Sequence, residues 1–108
     1  MGRSHFDADV LSWLRALPLE RVLDALGFFY RRDEAFKPEK DARTIRLFVS
    51  TPQGQAWELL VTGVKWYDSR AAVGGGGAID LVMHLRRVDF VAAVTLLKAA
   101  IGLGRRTG

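Results

Sequence analysis

Apolar side chains recur every three to four positions between residues 8 and 26, at Val10, Leu11, Trp13, Leu14, Leu17, Leu19, Val22, Leu23 and Leu26. That spacing belongs to an amphipathic helix. Pro18 breaks the run, because proline biases the residue before it away from helical geometry and yet suits a first turn. The pattern therefore predicts two helices, over about residues 8–16 and 18–26. Asp7 is placed to cap the first, and Gly27 to end the second in a left-handed conformation.

Residues 28–30 start an extended segment, and the mostly charged stretch 31–42, with one proline, reads as a solvated loop. A period of two then takes over. Ile45, Leu47 and Val49 fall on one face, and Thr44, Arg46, Phe48 and Ser50 on the other, which describes a half-buried strand with an aromatic ring and a cation outside. Pro52-Gln53-Gly54-Gln55 predicts a turn, residues 56–61 the returning strand, and residues 63–67 a third. Four glycines, Gly74 to Gly77, precede an apolar stretch without breakers, residues 78–85, which reads as a buried helix. Asp89 is placed to cap a last helix from Phe90 to about Ile101, stopped by Gly102. The expected fold is α+β, a small antiparallel three-stranded meander flanked by N-terminal and C-terminal helix pairs. It forms one domain over residues 1–104 with a short basic tail over 105–108.

A chain of 108 residues can bury one modest core and leaves no room for a second. Zero cysteines remove disulfides, thiol nucleophiles and thiolate metal sites. No apolar run approaches the roughly 20 residues that span a bilayer, because Arg86, Arg87 and Asp89 interrupt the longest candidate. The first residues also lack the apolar stretch of a signal peptide, so the expected compartment is the cytoplasm. The net charge of +4 is unevenly spread: residues 1–41 carry 7 basic and 8 acidic side chains, residues 42–108 carry 9 and 4. Any polyanion-facing surface is therefore expected in the second part.

Three constellations bear on chemistry. The glycines 74–77 before a helix either make a flexible, sharply reversing connection or offer free backbone N–H groups to a phosphate. Dinucleotide-binding and P-loop readings fail, since no βαβ unit and no Gly-Lys-Ser/Thr ending is present. Asp80 and His84 stand four apart, a spacing that can hold a metal, but two ligands do not complete a site and no metal or cofactor is expected. No nucleophile, base and orienting group cluster, so the chain is not expected to be an enzyme. The remaining signal is the interleaving of cations and rings at Arg43, Arg46, Phe48, Trp57, Lys65, Trp66, Tyr67 and Arg70. Single-stranded nucleic acid is bound this way, with cations tracking phosphates and rings stacking on bases. The competing account places Trp57 and Trp66 in the core and leaves the arginines as solubilising charge.

Lys65-Trp66-Tyr67-Asp68-Ser69-Arg70, then Gly75-Gly76-Gly77-Ala78-Ile79-Asp80-Leu81-Val82-Met83-His84-Leu85, then Val88-Asp89-Phe90-Val91-Ala92-Ala93-Val94-Thr95-Leu96-Leu97 resembles the C-terminal half of the zinc-ribbon domain of bacterial DnaG-type primases. In that family an aromatic strand precedes a Gly-Gly-x-x-Ile-x-Phe-Val/Leu-Met helix and a Ser-Phe-x-Glu-Ala-Val helix. Residues 19–27 and 45–49 follow the family's helix-then-ribbon order more loosely. The metal ligands have no equivalents here, with residues 30–33 and 65–69 standing roughly where the two ligand knuckles would be. The chain thus resembles zinc-less relatives of that domain in primase-like and Toprim-containing proteins of plasmids and mobile elements, which carry an aromatic-Asp motif like Trp66-Tyr67-Asp68. Structural zinc supplies about 10–16 kcal/mol in small finger peptides, so burial must replace it. Trp13, Leu17, Val22, Leu26, Ile79, Val82, Met83, Leu85, Phe90, Val94 and Leu97 are the expected core.

The resemblance implies a zinc-ribbon-like fold without zinc and a role on single-stranded template DNA in plasmid or mobile-element replication or transfer. It implies a binding face around Arg46, Phe48, Lys65 and Tyr67. In that reading Arg43, Arg46, Lys65 and Arg70 hold phosphates, and Phe48, Trp66 or Tyr67 stack on bases. The rival is a protein-interaction module that docks onto a primase, helicase or polymerase without touching DNA, with an exposed apolar patch on the helices and the sheet aromatics buried. A regulator of the host, or an anti-restriction factor of the same element, is a third reading.

Overall fold

A computed structural model describes residues 7–102. The elements run α1 (Ala8–Arg15), α2 (Leu19–Ala25), β1 (Phe29–Arg32), β2 (Ile45–Ser50), β3 (Ala56–Thr62), β4 (Lys65–Asp68), β5 (Val73–Gly76), α3 (Ala78–Arg86) and α4 (Phe90–Ala100). The expected basic tail lies outside the described residues.

Helix boundaries follow the local chemistry. The Asp7 carboxylate accepts the Asp9 and Val10 N–H groups, and that of Asp89 accepts the Ala92 N–H, so both caps form as the residue types predict. Pro18 precedes the first residue of α2, and Gly27 follows that helix with a φ of +81°.

The expected three-stranded meander is corrected to five antiparallel strands, in the order β1-β2-β3-β4-β5. The three central strands lie where the period of two placed them. The two added strands are edges whose sequences carry no alternation. β1 comes from the segment whose Arg31 and Arg32 read as a solvated loop, and it pairs with β2 through Tyr30 opposite Val49 and Arg31 opposite Phe48. β5 comes from the glycine run, read as a connection because glycine weakens strands. There the glycine has a steric purpose. A Cβ on Gly75 would lie 2.7 Å from Trp66 Cζ2 and 3.1 Å from the Asp80 Cβ, so only a residue without a side chain lets β5 pair beside the Trp66 indole.

One face of the sheet and all four helices share a single core. Leu47 and Val49 of β2, Leu59 and Val61 of β3 and Trp66 of β4 are buried with Leu14, Leu23, Ile79, Leu81, Val82, Val94 and Leu97. Full burial of each such side chain is worth about 1.5–3 kcal/mol. Trp13, expected in the core, is instead half exposed at the rim of the stripe formed by Val10, Leu14 and Leu17. Phe36, Phe48 and Leu60 belong to neither the core nor the shell packed against it, because they lie on the other side of the sheet.

Candidate nucleic-acid interface

The register of the sheet assigns that second face residue by residue. Arg46 stands opposite Leu60, and Leu60 opposite Tyr67, which makes one cross-strand row. Arg31, Phe48 and Glu58 form the neighbouring row towards one end, and Thr62 faces Lys65 towards the other. Side chains in directly opposed positions are close enough to interact. Alternation thus brings Arg46, Phe48, Lys65 and Tyr67 onto one surface, as the expected binding face requires.

Cations and rings on this surface touch. The Arg31 guanidinium lies 4.6 Å from the centre of the Phe48 ring, and that of Arg46 lies 5.9 Å from the same ring and 5.0 Å from Phe36. These are cation–π distances. Tyr67 and Phe29 are 43% and 59% exposed, so each offers part of its surface to solvent.

Two of the expected phosphate cations already hold carboxylates. Arg46 donates from Nε and Nη2 to Asp33 Oδ2 at 3.0 and 2.8 Å, and this bonding holds the Asp33 carboxyl below its ordinary value. Arg43 donates to both oxygens of Asp41, which lowers that carboxyl to about 2. Lys65 is exposed on the face itself. Arg70 is exposed beyond the end of β4 and borders a shallow hollow with Phe29, Arg31 and Phe48.

Trp66 does not join the exposed set. Its residue is 4% exposed, its ring stacks on that of His84 at 5.0 Å, and its Nε1 is buried with no hydrogen-bond partner. Alternation places its indole on the core side of β4, opposite to Lys65 and Tyr67, so it has no ring face to give a base. The glycines 74–77 are likewise engaged. The Gly76 N–H donates to Asp80 Oδ2 at 3.2 Å and the Gly77 N–H to the Val64 carbonyl at 2.8 Å, which removes both from phosphate binding. Asp80 and His84, four apart on α3, therefore serve different partners, Gly76 and Asp68.

The 33–44 loop crosses this second face and encloses a groove of about 580 Å³ against β3 and β4. Phe36, Leu60 and Tyr67 line it, Lys37, Lys40 and Lys65 border it, and Thr44 and Thr62 meet inside it through a hydroxyl–hydroxyl bond of 2.6 Å. Phe29, Arg31, Phe36, Lys37 and Lys40 were not legible as site residues. The one available signal was Phe29 and Arg31 two apart, the spacing of a strand face.

No family model matches the chain, and no solved structure matches it. A "65 kDa protein" of Zymomonas mobilis subsp. mobilis is 33% identical over 90 residues. The match covers 82% of this chain and 13% of that protein, so the chain spans a small part of the relative's length. No described helix is long and apolar enough to cross a membrane.

Proposed function

We propose that this chain is a cytoplasmic, non-catalytic module that binds single-stranded DNA on the helix-free face of its sheet. The observation that carries the reading is the contiguous set of Arg31, Phe48, Arg46 and Phe36, with Tyr67 exposed one row position beyond Leu60. Unpaired bases stack on such rings whatever their identity, and phosphates follow the neighbouring cations. Arg31 and Lys65 carry the phosphate role, while Arg46 chiefly orients Phe36 and Phe48. The resemblance to zinc-less primase ribbons supports a setting in plasmid or mobile-element DNA replication or transfer. Titrating labelled single- and double-stranded oligonucleotides by fluorescence anisotropy at two salt concentrations tests the reading. Salt-sensitive preference for single strands is expected, and equal or absent binding overturns it.

A second reading, docking onto a primase, helicase or polymerase, is favoured by Trp13 and Val91, large apolar side chains left about half exposed on α1 and α4. Against it, Phe29 and Tyr67 on the sheet are exposed, whereas a docking module is expected to bury them.

A further inference from the structure

The groove under the 33–44 loop is larger than the hollow beside Phe48, and its volume of about 580 Å³ falls within the roughly 300–1,000 Å³ of small-ligand sites. Its walls are set before any ligand arrives. At one end Asp33 Oδ1 accepts the Ala35 N–H at 3.0 Å and the Asp33 carbonyl accepts the Phe36 N–H at 3.2 Å. At the other end Asp41 Oδ1 accepts the Arg43 N–H at 2.9 Å and the Asp41 carbonyl accepts the Thr44 N–H at 3.0 Å. Phe36 is held under the Arg46 guanidinium, which Asp33 fixes in turn. A loop ordered in this way loses little entropy when a ligand enters.

We infer that this groove holds one unpaired nucleotide, its base against Phe36, Leu60 and Tyr67 and its phosphate on the lysines of the rim. The inference rests on the strand-binding reading of the same face and gives it an anchor point. Charge favours a phosphate there: Lys37, Lys40 and Lys65 outnumber the two carboxylates of the lining, Glu39 and Asp41, and Arg43 engages Asp41. The polar contact inside fits a base edge. Thr44 and Thr62 share one hydrogen bond, which leaves one O–H to donate and lone pairs to accept. Such a pair meets donors and acceptors alike, so base preference is weak.

The test is an amide NMR titration of the full chain with thymidine 5′-monophosphate, and separately with thymidine and with inorganic phosphate. An oligothymidylate is titrated beside them into the native chain, into Phe36→Ala, and into a Lys37→Ala/Lys40→Ala double variant on the exposed loop. Saturable shifts confined to residues 36–44 and 60–67, stronger for the monophosphate than for either half, support the anchor. So does a roughly tenfold weaker grip on the strand by both variants. If the strand binds all three proteins equally and the monophosphate moves no groove amide, the anchor is overturned while strand binding stands. If the monophosphate fills the groove and no strand binds, the anchor is supported and the strand-binding reading falls. Identical shifts from inorganic phosphate alone overturn it in favour of a plain anion site.

Discussion

His84 Nε2 lies 2.7 Å from Asp68 Oδ2, so a carboxylate at the end of β4 is bonded to an imidazole on α3. Asp68 is 3% exposed, and its other oxygen accepts the N–H groups of Arg70 and Ala71. Burial, the largest single influence, pushes this carboxyl up, but the bonds from His84, Ala71 and Arg70 together outweigh it and hold it below its ordinary value. The contact joins the sheet to α3.

Asp68→Ala should cost about 2–4 kcal/mol near neutral pH, since it orphans two backbone donors and the imidazole. A folded-state value below the unfolded one means that the contribution is present above the ordinary carboxylate value of about 3.9 and is lost as pH falls through the folded value. Urea melts of both proteins should therefore differ at pH 7 and converge in acid. A gap that persists undiminished below pH 3 contradicts the assignment.

Gly75→Ala should destabilise by about 1–3 kcal/mol through overpacking against the Trp66 ring. Gly76→Ala, with nothing within 4 Å of its added carbon, should change the melting temperature little. Equal effects at the two positions would mean that the Trp66 slot does not govern β5.

Tyr67→Ala should fold normally and lose about 1–3 kcal/mol of single-strand affinity. Trp66→Ala should lose about 3–5 kcal/mol of stability instead, because its indole is core. Thermal melts and anisotropy on the pair separate ring stacking from packing.

Arg31→Ala should lower the salt dependence of binding by about one counterion and cost no more stability than its contact with Phe48, about 0.5–1 kcal/mol. Arg46→Ala should disturb both, since it strips Asp33 and Phe36 of their partner. If Arg46 is removed with binding altered and the amides of 33–41 unmoved in NMR spectra, it contacts phosphate directly.

Helices and central strands were readable because their patterns are set by one buried face each, as at Leu47 and Val49 or Val22 and Leu23. Edge strands were not. β1 and β5 owe their conformation to the strands they pair with, Tyr30 to Val49 and Gly75 to Trp66, and pairing overrides weak strand propensity there. Four members of the candidate face, Arg46, Phe48, Lys65 and Tyr67, followed from alternation. Arg31 and Phe36 did not, because their place depends on β1 pairing and on a loop that crosses the sheet.

Every strand in the sheet neighbours the one before it in the chain, so no pairing waits for a distant segment. Contacts of short sequence separation cost little loop-closure entropy and favour rapid folding. The hairpins β2–β3, β3–β4 and β4–β5 can close one after another as the chain leaves the ribosome. Only α1 and α2 must then wait for α3, whose Ile79, Leu81 and Val82 complete the core they share. The sheet is thus a structure of nearest neighbours, and the helices bring its two ends into one core.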